Sequence, residues 1–451
     1  MKILLIQPPS GAKLSDRVYL HEPLALEYLG AGLLADGHEV TLLDARLEPG
    51  IEAACLRERP GLVGLTGYTS QVAIIKEIAA RVKALLPDLF VVVGGHHATV
   101  APTDFNDPHI DLVVIGEGVV AIREITRNLE EGRPLRGIAG LALPGEKMEF
   151  SEPRPYTPLD RLPFPDRSLT ARYRRHYFSE WMKPMASVRT SVGCTNQCNF
   201  CALWTITDGK YLRRDPERVV GELQTIEEPN VFFCDDESMR DARRMDELAD
   251  RIRKAGIRKK YFLYARVDTI VRHPELFAKW RSIGLAQVLV GMESFSDERL
   301  RGMGKGITTE QQAAAVKILE ELGILLYASF VVDPGFTRED FQALRRYIRT
   351  LKIRYATFSV LTPLPGTRLY AERGGDLPEE KPELFDFLHA MLPTTLPLPE
   401  FYAEFARLYQ NAIPLKYGLR TLGKYGIRGA FNQIKLVGPV LTAIREGYLD
   451  H

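Results

Sequence analysis

Three of the chain's five cysteines stand together in the stretch GCTNQCNFCALW (193–204), as Cys194, Cys198 and Cys201 with C-x3-C-x2-C spacing. Thiolates set this close bind metal or meet by chance. Structural zinc calls for four ligands, usually in paired Cys or His units. No His or Cys follows Cys201 within twenty residues, so zinc would have to recruit His176 or Cys234 from a distance. Three thiolates suit a four-iron cluster whose fourth iron stays open for a bidentate substrate, and an iron with an open position does chemistry.

The elements around the cysteines place them. From about 185 onward β-rich runs alternate with helical patterns: SVRTSVG, VFFCDD (231–236), KYFLYAR (260–266), QVLVGME (287–293), ILLYASFVV (324–332) and RYATFSVL (354–361). Six such units predict a partial (β/α)6 TIM-like barrel, whose chemistry sits at the C-terminal ends of its strands. The cysteines follow the first of them.

A separate α/β pattern precedes the barrel. KILLI (2–6), EVTLLD (39–44), LVGLT (62–66), LFVVVGG (89–95) and DLVVIGEG (111–118) are continuous apolar runs suited to buried parallel strands. Residues 22–36 and 71–86 carry apolar residues at helical spacing. A doubly wound, Rossmann-like domain over 1–145 follows. Five prolines between Glu152 and Arg167 mark an extended connector, 146–184. The barrel is expected over 185–375, and an aromatic-rich α-helical cap over 376–451.

Composition narrows the function classes. With 45% hydrophobic and 26% charged residues the chain is an ordinary globular one, and 59 basic against 58 acidic residues give no global pull toward nucleic acid. Few, bunched cysteines suit a reducing cytoplasm. No run reaches the about 18 apolar residues of a membrane span. Between Pro414 and Ile444, however, Lys416, Arg420, Lys424, Arg428 and Lys435 meet no acidic residue. This stripe suits peripheral contact with anionic lipid on the inner membrane face.

The cysteine stretch resembles the radical S-adenosylmethionine superfamily, whose hallmark C-x3-C-x-(aromatic)-C is met by Cys194, Cys198, Phe200 and Cys201. The resemblance implies a 4Fe-4S cluster that chelates S-adenosylmethionine and, given one electron from a donor such as flavodoxin or ferredoxin, cleaves it to methionine and a 5′-deoxyadenosyl radical. Strand ends carry over the rest of that site: Asp235, Asp236 and Glu237 after the second barrel strand, Arg266 after the third, Glu293 after the fourth.

The first domain looks like the cobalamin-binding domain that precedes the barrel in many such enzymes, on the strength of EPLALEYLGAGL (22–33), GLTGYTSQ (64–71), GGHHATVAP (94–102) and GEG (116–118). Implied contacts are Thr66, Gly67, Tyr68, Thr69, Gly94, Gly95, His96, Thr99, Gly116, Glu117 and Gly118. The D-x-H-x-x-G that ligates cobalt from below is missing. Tyr68 is then the first candidate for cobalt's lower face, and His96 and His97 lie against the corrin or merely pack. Methylthiotransferases, with further cysteines in their first domain, are disfavoured because only Cys55 is present there.

The segments SEWMKPMASVRTSVGCTNQCNFCALWTITDGKYLRRDPERVV, YASFVVDPGFTREDF, SVLTPLPGTRLYAE and LPTTLPLPEFYAEFARLYQ resemble hopanoid C-3 methylases. That resemblance implies C-methylation of a pentacyclic lipid by cobalamin and radical chemistry together. Tyr177, Phe178, Trp181, Met182, Met185, Trp204, Tyr327 and Phe330 could line its long apolar pocket, with core packing as their other reading. An oxidative cyclase or ring-rearranging enzyme, a methylase of another natural product, and a cobalamin sensor without turnover stay open.

Overall fold

The computed structural model describes residues 1–10, 15–179, 182–377, 381–412 and 441–451. The basic stripe within 414–444 therefore lies almost wholly outside the described residues, and Trp181 lies outside them altogether. The chain forms two compact units, one of Met1–Thr195, Ala202–Asn230 and Lys381–Glu383, the other of Asn196–Cys201, Val231–Glu380 and Leu384–His451.

In the first unit, β1 (Lys2–Gln7), β2 (Glu39–Asp44), β3 (Leu62–Thr66), β4 (Phe90–Gly94) and β5 (Leu112–Val114) are parallel, and β6 (Leu141–Leu143) and β7 (Glu149–Phe150) add an antiparallel edge. The order is β2-β1-β3-β4-β5-β6-β7. Alternate residues of each central strand enter opposite cores. Leu4, Ile6, Val63, Leu65, Val91 and Val93 pack with helices α2 (Ile51–Glu58) and α3 (Val72–Leu85). Ile3, Leu5, Leu62, Val92 and Leu112 pack with α1 (Leu24–Ala35) and α5 (Gly118–Glu130). Burial on both faces explains why these strands read as unbroken apolar runs. Between them α4 (His96–Val100) follows β4 directly.

The proline-rich connector is tied down by charge. Thr170 donates to the buried Glu27 carboxylate at 2.5 Å, and Arg174 bridges Glu22 and Glu228. Arg167 and Arg214 share the fully buried Glu222 of α7 (Pro216–Thr225), at 2.7 and 2.5 Å. Burial pushes the Glu27 carboxyl up to about 7. A buried charge cluster of this kind gives little net stability whole but much is lost when one member goes. Glu222→Ala takes the paired carboxylate from Arg214, only 3% exposed, and leaves Arg167 only the more distant carboxylate of Glu22 at 3.7 Å, and should lower stability by about 3–5 kcal/mol; urea denaturation followed by circular dichroism measures this, and an unchanged midpoint would show that Glu222 does not hold the connector.

The barrel-like series begins in the first unit with β8 (Met185–Val188), the short antiparallel pair β9 (Ser191–Val192) and β10 (Leu212–Arg213), and the turn of helix α6 (Leu203–Ile206). It continues through β11 (Asn230–Phe233), α8 (Ala242–Lys254), β12 (Lys260–Ala265), α9 (Pro274–Ser282), β13 (Leu285–Glu293), α10 (Thr309–Glu321), β14 (Leu325–Val332), α11 (Arg338–Thr350) and β15 (Ala356–Val360). In the second unit, β12 to β15 pair in parallel and in chain order. Helix α12 (Leu398–Ala412) covers them, with Tyr409 edge-on to Phe358 and Phe401 edge-on to Phe341. No described helix is long and apolar enough to cross a membrane.

Candidate functional site

In the first unit the glycine-bearing loops gather at the C-terminal edge of β3, β4 and β5, which are neighbours. Gly95 has φ +102°, and a Cβ there would stand 2.4 Å from Thr66 Oγ1 and 3.2 Å from the Gly67 nitrogen. Only glycine lets the β4 loop lie on the β3 loop. Thr99 Oγ1 donates to Gly95 O at 2.8 Å and accepts from Gly116 N at 3.1 Å, which ties the β5 loop to both. Gln71 does the same for β1, donating to Pro9 O at 2.8 Å while accepting from Tyr68 N at 3.0 Å. The edge is thus a braced cradle of backbone, and a large planar ligand can approach it closely.

Side chains here divide into bracing and facing groups. His97 is fully buried, with Thr69 Oγ1 at 3.0 Å on Nδ1 and Asp104 at 2.8 Å on Nε2. Thr69 is thereby occupied with His97. Glu117 is a helix cap: its carboxylate accepts from Val119 N at 2.5 Å and Val120 N at 3.0 Å at the start of α5. Its expected role toward a ligand gives way to this local one. Tyr68 is 66% exposed, and its ring lies 5.7 Å from that of half-buried His96. Burial, aided by His97, pushes the His96 imidazole down to about 4, so it stands neutral beside Tyr68. Helix α4 lies against α6, the turn that carries half-buried Trp204.

In the second unit, the part of the cysteine loop from Asn196 to Cys201 is held by a glycine-rich loop that the motifs did not point to. Asn199 donates from its backbone to Met303 O and from its side chain to Gly302 O, both at 3.1 Å, and Gly304 packs on the Cys198 backbone. Cys201 N donates to Cys198 O at 3.2 Å. Cys198 is buried, whereas Cys194 and Cys201 are half-buried, as is Phe200. Among the described residues no three His, Cys, Asp or Glu side chains stand as a preformed metal cage. The triad's suitability for iron rests on its thiols and their spacing.

The strand-end acids and arginine are more committed than expected. Glu237 is buried and accepts from Thr269 Oγ1 at 2.5 Å through one carboxylate oxygen; the other oxygen has no partner, nor has the buried Ser238 Oγ beside it in sequence. Burial pushes the Glu237 carboxyl up. Two orphaned polar atoms in succession suit a ligand that brings its own donors. Asp235 is buried and Asp236 half-buried in the same loop. Arg266, by contrast, is engaged with Asp268 at 2.9 Å and with Lys305 O at 2.8 Å. Glu293 forms an ion pair with buried Lys305 at 2.5 Å. Both thus have protein partners, beside whatever role toward a ligand carboxylate or ribose the resemblance implied. The GMGKG run (302–306) was the signal that could have revealed Lys305.

Strand parity sorts the aromatic residues. Phe233 and Tyr261 meet Trp280 of α9, so their face of the sheet looks toward helices. Phe232, Phe262 and Tyr264 form the opposite face, ring to ring at 4.8 to 5.7 Å. Tyr327 is half-buried and paired with Leu289, whereas Phe330, an odd number of residues on, is fully buried between Phe358 and Tyr347 of α11. Phe330 is core packing and does not line a pocket. Tyr177 likewise is fully buried, packed with Leu20 and Tyr173. On the Tyr327 face, Ser329, Thr357 and Ser359 are half-buried, and their side-chain hydroxyls have no hydrogen-bond partner among the described residues.

Comparison with known proteins gives two family matches along the chain. Residues 14–126 match the family described as B12 binding domain, and residues 188–348 the Radical SAM superfamily. The chain is 32% identical to a hopanoid C-3 methylase of Methylococcus capsulatus, over 96% of this chain and 86% of the relative. It is 26% identical to an anaerobic magnesium-protoporphyrin IX monomethyl ester cyclase of Rubrivivax gelatinosus, over 92% of this chain and 79% of that one. Among solved structures, the radical S-adenosylmethionine methyltransferase TsrM of Kitasatospora setae, with cobalamin and a 4Fe-4S cluster bound, matches with a TM-score of 0.72 at 21% identity over 99% of both chains. At that identity the likeness is one of fold.

Proposed function

The chain belongs to the cobalamin-dependent radical S-adenosylmethionine methyltransferase family, and from that premise we propose that it methylates an unactivated carbon of a large apolar polycycle, a hopanoid at C-3. Its cofactors are a 4Fe-4S cluster, S-adenosylmethionine and cobalamin. Bound together, these groups supply an oxidant able to take hydrogen from an unactivated C–H bond and a methyl group for the carbon so exposed. The reading also calls for an external one-electron donor of the flavodoxin or ferredoxin kind.

What the chain itself contributes is position. Cys194, Cys198 and Cys201 would hold the iron, and the Gly95 cradle with Tyr68 and His96 would face the corrin. The free Glu237 oxygen and Ser238 hydroxyl suit an ammonium or ribose hydroxyl. No carboxylate or imidazole has to remove a proton from substrate carbon, so misplacement is the main hazard to rate. One wall of the second unit's sheet is aromatic, through Phe232, Phe262 and Tyr264, and the neighbouring wall offers the hydroxyls of Ser329, Thr357 and Ser359. An apolar body with few polar groups suits both.

The observation that carries the substrate assignment is identity with a hopanoid C-3 methylase along nearly the whole chain. The cyclase relative supports a second reading, oxidative ring chemistry without methyl transfer. Anaerobically reconstituted protein is to be given hopanoids and methyl-deuterated S-adenosylmethionine. The expected product carries the intact deuterated methyl group at C-3; an oxidised, unlabelled product would leave the cyclase reading in its place.

A further inference from the structure

Glu293 stands at φ +61°, in the left-handed region that a side-chain-bearing residue seldom adopts, at a bulge that ends β13. Such a conformation costs on the order of 1–3 kcal/mol and persists only where its surroundings impose it. Here buried Gln312 imposes it, donating to the carbonyls on either side, Met292 O at 2.7 Å and Ser294 O at 3.2 Å. Tyr347 holds Gln312 in turn at 2.7 Å. The result is that the Glu293 carboxylate meets the Lys305 ammonium at 2.5 Å directly over Gly291. A Cβ on Gly291 would lie 2.2 Å from the carboxylate and 2.6 Å from the ammonium.

Lys305 is placed from its other side by the cysteine loop. Its neighbours Gly302, Met303 and Gly304 are the residues that bind Asn199 and pack on Cys198, and Arg266 fixes the Lys305 carbonyl at 2.8 Å. The ammonium is buried, on the residue next to Gly304, which packs on the Cys198 backbone. Burying one ammonium this way is expensive unless it is paired. A strained acid, a glycine without which the pair could not form and a loop clasped to the cysteines all serve that one cation.

We propose that Lys305, moderated by Glu293, is the built-in charge that sets the reduction potential of the iron–sulfur cluster. Reduction adds negative charge to a cluster already held by three thiolates, and net charge near the sulfurs is a principal determinant of potential. A fixed ammonium on the loop clasped to Cys198 favours the reduced state, and Glu293 limits how far. Lys305 is a positioning residue of the cluster. The inference rests on the cluster of the proposed function but not on its substrate.

The test is EPR-monitored potentiometry of reconstituted protein at matched iron and sulfide content. Lys305→Met should shift the cluster midpoint to more negative potential, Glu293→Gln should shift it to more positive potential, and Lys305→Arg should keep the parental value. Should Lys305→Met fail to fold, the Glu293→Gln and Lys305→Arg proteins still decide. Midpoints that coincide in all variants overturn the proposal while leaving the family reading intact. Protein that takes up no iron in any form would instead defeat the cluster itself.

Discussion

Cys198→Ala protein, reconstituted anaerobically with iron and sulfide, is expected to hold no 4Fe-4S cluster and to give no detectable methylated product. The loop offers no substitute thiol. Cys55 is buried in the first unit against the sheet core, and burial pushes its thiol up to about 11. Cys234 follows β11 in a different loop. A fourth-iron site needs all three thiolates, because the open position exists only when the other irons are anchored. Asn199 and the carbonyls of Gly302 and Met303 should still hold the loop, since their hydrogen bonds involve no sulfur. The variant should therefore fold, and it should still bind cobalamin, because the cradle proposed for it at β3, β4 and β5 lies wholly in the first unit. Iron and sulfide assays, the visible charge-transfer absorption and product mass spectra measure the three parts. Full activity in this variant would remove the basis for a cluster altogether.

The elements were legible because burial on both faces of a parallel sheet writes itself as runs such as KILLI and LVGLT, and the alternation of Leu4 and Leu5 into opposite cores needs no further signal. The site was legible only where chemistry demands a fixed local spacing. Cys194, Cys198 and Cys201 would have to be close in sequence to share a cluster, and Gly95 must be glycine because of its backbone conformation and the close approach of the β3 loop. Where function depends on which partner a side chain finds, spacing says little. Glu117 was expected beside a ligand, yet it precedes α5 by one residue, and a helix start captures a carboxylate on its own account. Arg266 and Glu293 sit at strand ends as expected, but Asp268 and Lys305 reach them first. Phe330 and Tyr327 were grouped by type, although three residues along a strand put two side chains on opposite faces. Lys305 was missed because its role needs a strained bulge, a glutamine two elements away and a glycine opposite, none of which is adjacent in sequence.

Gly95→Ala is expected to cost the protein its cobalamin while leaving its iron in place. The residue has φ +102° and ψ −162°, a region open essentially only to glycine. The new methyl group would also stand 2.4 Å from Thr66 Oγ1 and 3.2 and 3.4 Å from the Gly67 nitrogen and oxygen. Thr66 can turn its hydroxyl away, but the Gly67 backbone can yield only by moving the β3 loop that carries Tyr68. Strain of about 1–3 kcal/mol falls directly on the cradle, so affinity for cobalamin should drop roughly tenfold or more, since 1.4 kcal/mol is a factor of ten. Gly116→Ala separates the causes: φ is +84° there but nothing lies within 4 Å of the added carbon. Its loss should be smaller, because conformation alone is at stake. Cysteine-bound iron should match the parent in both variants, for the loop of Cys198 belongs to the other unit. Spectroscopic titration with hydroxocobalamin measures the affinities. Equal affinity in Gly95→Ala and parent would mean that the ligand does not use this edge of the sheet, and the cradle would then have to be sought elsewhere in the first unit.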